Sequence, residues 1–450
     1  MSDPALGQPL SLEGVVETLR EVMRHAPDHR TGKNCVYSLE DAALAAFGVF
    51  FTQSPSFLAY QRTMERAKGR SNAHTLFGVR HIPTDNCIRA LLDPVAPHHL
   101  FPLFTQIFEA LDAAGCVDPF RIALGACARG PGQLLIALDG TTYHHSHTVH
   151  CPQCTRIAHR NGDASYQHTV VTPVVVTPGR SDVLALTPEF VVPQDGHDKQ
   201  DCETAAAKRW LAAWGRYYRP WGVTLLGDDL YSRQPLCEAA RAEGFDFLFV
   251  CKPASHATLT EWVEGCARAG LLATHRVVWR KGRKVFTDTY RFLSDVPLRD
   301  GDYALKVNWF ELTTTDGEGR PIYHNAWITS HVITADGVAR LAQAGRARWH
   351  VENGCNNVMK TKGYHLEHNF GHGKRHLASL LATLNLLAFL LHTMQELTHR
   401  KYRRLREALP SRKAFFQSLQ ALTTFMIFDG FEALFDFMLA GLELDAPDSS

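Results

Sequence analysis

The segment LLGDDLYS, residues 225–232, restricts the fold more than any other stretch of the chain. An apolar run stops at two adjacent acids, Asp228 and Asp229, and a turn follows. The run is too short for a buried helix and suits a buried strand. Side chains alternate faces along a strand, so the two carboxylates cannot share a direction while the strand lasts. A second run, LLIALDGTTY at 134–143, reaches an acid in the same way at Asp139. Acids at the carboxyl ends of sheet strands open into the crevice where sheet-based enzymes bind ligand. A strand-ending aspartate can equally do no more than cap the next turn.

The runs around these two predict the order strand, strand, strand, helix, strand, helix, strand. QHTVVTPVVVTPG and VLALTPEFVV read as the second and third strands, DCETAAAKRWLAAWGRYY as a helix, and FDFLFVCK as the fifth strand. Short turns join the early strands and helices join the later ones, so the expected fold is α/β, a mixed five-stranded sheet covered by helices. Residues 1–128 read as an all-α region, with Ser11, Ser38 and Thr84 as helix caps. Residues 129–255 hold the first part of the sheet domain. Residues 256–335 are a β-rich insertion in which DGEGR makes a hairpin turn. Residues 336–400 carry a long helix and the last part of the core, and 401–450 are helical with an acidic tail.

A net charge of +1 hides an uneven distribution: from Arg340 to Lys413, fourteen Lys and Arg stand against four Glu. That suggests a polyanionic partner, or else a solvated helical face. Eleven cysteines, mostly isolated, point to a reducing compartment, hence the cytoplasm. The start, MSDPALGQPLSLEGVVE, lacks the pattern of a secretory signal. The run LASLLATLNLLAFLLHTM at 377–394 is nearly long enough to span a bilayer, but Thr383, Asn385 and His392 interrupt it. It is expected to be a buried core helix, with no membrane association.

Glu352 is the third acid of interest. On one helix, Arg348, Glu352, Asn356 and Lys360 form a polar stripe, with Asn353 also beside the acid, and Asn356 is a candidate phosphate or DNA contact together with Arg348 and Lys360. The plain reading is an exposed Arg–Glu pair worth at most ~0.5 kcal/mol. Three acids from two strand ends and a helix also suit hard divalent cations, Mg²⁺ or Mn²⁺, in pairs that serve phosphoryl transfer.

With these motifs in view, the chain resembles bacterial insertion-sequence transposases of the DDE type. ALDGT around Asp139, LLGDDLYS around Asp228 and RARWHVENGCNNVMKTKGYHLEHNFGHGK around Glu352 carry the resemblance, over roughly 130–400. It implies a ribonuclease-H-like core with a β-rich insertion before the catalytic glutamate. It also implies Asp139, Asp228 and Glu352 as the acids holding two Mg²⁺, with Arg348 and Lys360 on phosphates. The family places an aromatic three residues after the second aspartate; Tyr231 stands so relative to Asp228, which leaves Asp229 as a cap. The implied partners are the element's terminal inverted repeats and target DNA, bound by at least a homodimer. Two departures stand out: Gly345 occupies the place of a family tyrosine, and Lys360 lies one residue beyond the family's lysine. A metal-dependent nuclease that cuts without joining, and a catalytically inactive DNA-binding protein, share the same features.

Residues 143–168 read YHHSHTVHCPQCTRIAHRNGDASYQH. Cys151 and Cys154 have the spacing of half a zinc knuckle, with His150, His159 and His168 as candidate further ligands of a structural Zn²⁺. The alternative is a flexible histidine-rich loop with two free thiols. In the insertion, Arg276, Arg280, Lys281, Arg283 and Lys284 interleave with Trp279 and Phe286. This composition suits gripping a DNA backbone and stacking a base, with Trp279 and Trp309 as candidates, and it equally suits a guarded edge strand. GYHLEHNFGHGKRH at 363–376, with Lys374 and Arg375, reads as a DNA contact whose glycines admit phosphate to the backbone.

Overall fold

Serine caps start the first two long helices as expected. Ser11 accepts from Gly14 N at the head of Leu12–Arg24, and Ser38 accepts from Asp41 N at the head of Leu39–Phe51. Thr84 holds the N-cap position of Asp85–Leu92 without a side-chain hydrogen bond. The computed structural model describes residues 10–28, 30, 35–65, 71–127, 130–193 and 199–445. The extreme N-terminus, the boundary at 128–129, most of the PQDGHDK loop and the end of the acidic tail lie outside the described residues.

The protein is mixed α/β. Its strands are β1 (Ile122–Cys127), β2 (Gly130–Ala137), β3 (Gly140–Ser146), β4 (Thr155–Ala158), β5 (Ala164–Val171), β6 (Val174–Val176), β7 (Leu184–Ala185), β8 (Glu189–Phe190), β9 (Val223–Gly227), β10 (Asp246–Val250), β11 (Ala273–Lys281), β12 (Lys284–Pro297), β13 (Lys306–Asp316) and β14 (Pro321–Thr329). The larger sheet runs β11-β12-β13-β14-β10-β9-β2-β6-β7, with β1 also paired to β2. β2, β9 and β10 are parallel neighbours, and every other pairing in it is antiparallel. A smaller sheet runs β3-β5-β4, with β8 beside β5.

The expected five strands are therefore present as β7-β6-β2-β9-β10 within a sheet of ten. The insertion does not stand apart: β14 pairs with the free edge of β10, Val250 opposite Trp327, and extends the sheet. An unpaired strand edge is a template for backbone pairing of this kind, which satisfies its N–H and C=O groups. Three apolar runs split where one strand each was expected. One of them, VLALTPEFVV, breaks at Leu186–Pro188 into β7 of the larger sheet and β8 of the smaller one. LLIALDGTTY breaks at Leu138–Asp139 into β2 and β3, and QHTVVTPVVV breaks at Thr172–Pro173 into β5 and β6, in different sheets. Proline has no N–H to continue a ladder, which fits the break at Pro173. β1 is a strand inside the region expected to be all-α.

Helix Leu377–Thr398 is the one helix among the described residues long and apolar enough to cross a membrane, and most of it is buried within the protein. It packs on β7, on Leu39–Phe51 and on Phe101–Ala113. Its polar groups are largely answered internally, the buried Asn385 Oδ1 excepted. Asn385 donates to Tyr364 O at 2.9 Å, and His392 lies 3.0 Å from Phe51 O and 2.5 Å from the Tyr364 hydroxyl. The N- and C-terminal helices share this core. Asn72 donates to Thr423 O at 2.8 Å, and Phe51 meets Phe431 edge to face at 5.4 Å.

Candidate active site and metal centre

The parallel register of β2 and β9 brings the two aspartates together. Ala137 pairs with Leu226, and Leu138 N donates to Leu226 O at 2.9 Å. Asp139 and Asp228 each lie two residues beyond that pair, at the same carboxyl edge of strands that run roughly 4.8 Å apart. Local glycines shape the edge. A Cβ on Gly227 would stand 2.8 Å from Tyr231 Cβ, so glycine lets the buried Tyr231 fold back under the strand end. A Cβ on Gly140 would stand 2.3 Å from Glu203 Cδ, so glycine also admits a fourth acid, from helix Lys199–Tyr218, beside Asp139. Sequence reading missed Glu203, because one acid in an alanine-rich helix carries no signal of where its helix docks.

The chain around Glu352 is not one continuous helix. Val338–Ala347 is α-helical, Val351–Asn356 is a wide π-turn, and Asn357–Thr361 returns to α. Such turns insert a residue, re-aim the side chains that follow, and recur at functional sites. Here Glu352 pairs with Arg348 at 2.8 Å, and Asn356 turns inward. Asn356 donates to Asp139 Oδ2 at 2.7 Å and accepts from Thr172 Oγ1 at 2.9 Å. Its amide is thus committed to Asp139 and does not face a DNA backbone, contrary to the contact role expected for it. Gly354 permits this close seating, since a Cβ there would lie 2.9 Å from Val183 Cγ1.

Asp139 is poised electrostatically. Burial first, and then the negative charges of Glu352 and Glu203, push its carboxyl up to about 7, against the pull of Arg348 and Asn356. The same acids act on Tyr231. Burial and then Glu203, Asp139 and Asp228 hold its hydroxyl well above the usual value. Asp228 accepts from Leu230 N at 2.9 Å and so shapes its own turn. Asp229 faces a separate cluster. It accepts from Lys252 N at 2.6 Å and from the Ser255 hydroxyl, and it lies 3.5 Å from His256. Its carboxyl is held at about 2 by His256, Ser255 and Lys252, although burial opposes them. Asp229 is therefore a capping residue.

The remaining expected contacts divide. Lys360 pairs with Glu367 at 2.8 Å. Trp309 is buried, so it cannot receive a flipped base. Trp279 is partly exposed and stacks on Phe286 at 4.5 Å, on the β11–β12 hairpin that carries the exposed basic residues. β11 is also the sheet's edge strand, so a guarding role for those charges fits equally. Lys374 and Arg375 extend exposed side chains, but their backbone N–H groups donate to Asp93 at 3.0 and 2.9 Å. The glycine there serves that internal carboxylate rather than phosphate: Gly373 has φ +70°, and a Cβ on it would lie 2.2 Å from Asp93 Oδ1. Gly345, in the place of the family tyrosine, packs on an indole; a Cβ there would meet Trp327 Nε1 at 2.6 Å.

A second cluster could hold a metal ion. Ligand atoms of Cys151, Cys154, His168 and His372 all lie within 4.8 Å of one another, and all four residues are buried. Among the described residues Asp139, Asp228 and Glu352 do not close into such a set. Of the other candidate ligands, His159 instead bonds Ser165 at 2.8 Å, and His150 stacks on Tyr166 at 4.2 Å. His372 takes the fourth place from a loop 218 residues beyond Cys154. No protein-family model matches this chain, and no curated protein matches it.

Proposed function

We propose that this chain is a DNA transposase of an insertion sequence, which cuts at element ends and joins the freed 3′-hydroxyl to target DNA. The observation that carries the reading is the placement of Asp139 and Asp228 two residues past the Ala137–Leu226 pair at one edge of adjacent parallel strands, with Glu352 bearing on Asp139 from a wide helical turn. The strand order supports a ribonuclease-H-like core: three antiparallel strands, β2, β6 and β7, followed by helix-linked parallel β9 and β10.

The donor chemistry suits a hard divalent cation, although the three acids do not close around one position in this structure. All three acids offer oxygen, and Asp139 is raised to about 7 in part by neighbouring anions, a repulsion that a cation relieves. Bound there, Mg²⁺ or Mn²⁺, two ions by the resemblance, would supply charge neutralisation and an activated oxygen nucleophile at the scissile phosphate. The chain's own residues do the positioning. Asn356 orients the Asp139 carboxylate, Arg348 steadies Glu352, and Gly227 seats Tyr231 beneath the second aspartate. The exposed β11–β12 hairpin and the Lys374–Arg375 loop offer positive charge to a DNA backbone. On this reading the protein works in the cytoplasm on nucleoid DNA, as at least a homodimer.

The test uses duplexes bearing the DNA that brackets the gene, with Mg²⁺ or Mn²⁺. Cleavage at the element ends and strand joining from a pre-cleaved end, both abolished by Asp139→Asn, are the expected results. Cleavage without any joined product would replace the reading with a nuclease. Binding with no chemistry by the native chain would leave a DNA-binding protein.

A further inference from the structure

We propose that Cys151, Cys154, His168 and His372 bind one structural Zn²⁺, which clasps the small sheet to the loop that follows the Glu352 helix. The site is carried by interatomic distances and does not depend on the transposase reading. A tetrahedral zinc with Zn–S about 2.3 Å and Zn–N about 2.0–2.1 Å requires edges of roughly 3.8 Å between sulfurs, 3.6 Å from sulfur to nitrogen and 3.3 Å between nitrogens. Five of the six observed edges are 3.9 Å for Cys151 Sγ to Cys154 Sγ, 3.5 and 3.3 Å from the two sulfurs to His168 Nε2, 3.3 Å from Cys154 Sγ to His372 Nε2, and 3.1 Å between the two Nε2 atoms, and the sixth, between Cys151 and His372, lies within 4.8 Å.

The chemistry selects the metal. Two sulfurs and two imidazoles in a tetrahedron suit zinc, and two thiolates offset the ion's charge in a buried place. Four protein ligands close the coordination shell, so the site is structural. The surroundings orient the ligands. His372 Nδ1 lies 3.1 Å from Gly373 O and donates to it, which leaves Nε2 free to ligate. The Tyr143 ring stacks on His168 at 5.6 Å, and His144 lies against His372 at 4.3 Å.

The position gives the clasp its purpose. β3 starts directly after Asp139, and β5, which carries His168, leads to Thr172, the partner of Asn356. His372 lies two residues before Lys374. One ion thereby ties the strands that leave the first acid to the loop that presents Lys374 and Arg375.

Elemental analysis of the full-length protein, purified from zinc-replete cells, tests the site. One zinc per chain is expected, released by a mercurial thiol reagent. Cys154→Ser and His372→Ala lose it, His159→Ala keeps it, and His372→Cys, which restores a ligand, regains it. Replacement by Co²⁺ gives the visible absorption of a tetrahedral thiolate site. Full zinc in His372→Ala would overturn the assignment, as would a metal-free native protein with a Cys151–Cys154 disulfide, or iron in place of zinc. Metal content and the cobalt spectrum are read without DNA, so failure here and failure of the transposase reading are separable.

Discussion

The side-chain amide of Asn356 donates to the Asp139 carboxylate at 2.7 Å, across 217 residues of sequence. Thr172 fixes which way the amide faces by donating to its oxygen at 2.9 Å. This bond favours the ionised form of Asp139 against burial and the charges of Glu352 and Glu203. Asn356→Ala removes that support and pushes the carboxyl higher. The acid limb of the pH–cleavage profile should move up by about one unit, with cleavage near pH 7 falling about fivefold. A variant whose acid limb stays in place would show that the bond does not tune Asp139.

Asp139→Asn should abolish cleavage yet stabilise the metal-free protein at pH 8. The folded carboxyl is raised from 3.8 to about 7, so the folded chain holds the proton more tightly than the unfolded one. That contribution is present below the unfolded value and lost as pH rises through about 7, on the order of 4 kcal/mol at full ionisation. Thermal melts at pH 5 and pH 8 should show the native protein losing more on going to pH 8 than Asp139→Asn does. Mg²⁺ should raise the melting temperature of the native chain and leave the variant unmoved.

Gly345→Ala should cost about 1–3 kcal/mol by overpacking, because its Cβ would stand 2.6 Å from Trp327 Nε1. Gly345→Tyr, which places there the residue that the resembled transposases carry, should fail to fold. Chemical denaturation reads the first and soluble yield the second. A Gly345→Ala variant as stable as the native chain would mean that the indole moves aside freely.

Asp93 accepts the backbone N–H groups of Lys374, Arg375 and Leu377 and so starts the buried helix Leu377–Thr398. Burial raises its pKa, yet these N–H groups and that of His376 hold it below the usual carboxylate range. Its contribution is present above the unfolded value of 3.8 and is lost as pH falls through the lower folded value. Asp93→Ala should cost about 1–3 kcal/mol near pH 7 and proportionately less in strong acid. Equal losses at both pH values would remove the charge from the explanation.

Alanine at Arg280, Lys281, Arg283 and Lys284 together should weaken duplex binding alike for all sequences. The slope of log affinity against log salt should become shallower by about 0.9 for each phosphate that is no longer neutralised. Trp279→Ala should lower affinity for DNA with an unpaired base more than for intact duplex. If the four charges only guard the edge of β11, affinity and slope will not change and the variant will aggregate instead.

Strand ends, serine caps and the DGEGR hairpin were legible in the sequence because each is written in neighbouring residues. Alternation every two positions marks a strand, and a serine before an apolar period marks a helix start. Asp139 and Asp228 could be found because each closes an apolar run. The buried helix at 377–398 was legible too, since His392 and Asn385 in an apolar run demand internal partners. Only the tertiary structure decided which partners these are. His372 meets Cys154, Asp93 caps the Leu377 helix, Glu203 docks beside Asp139, and Trp327 fills the space over Gly345. Each of these joins residues far apart in the chain. Local periodicity specifies an element and the face it buries; the surface it meets is set by packing of the whole, which no short window of sequence contains.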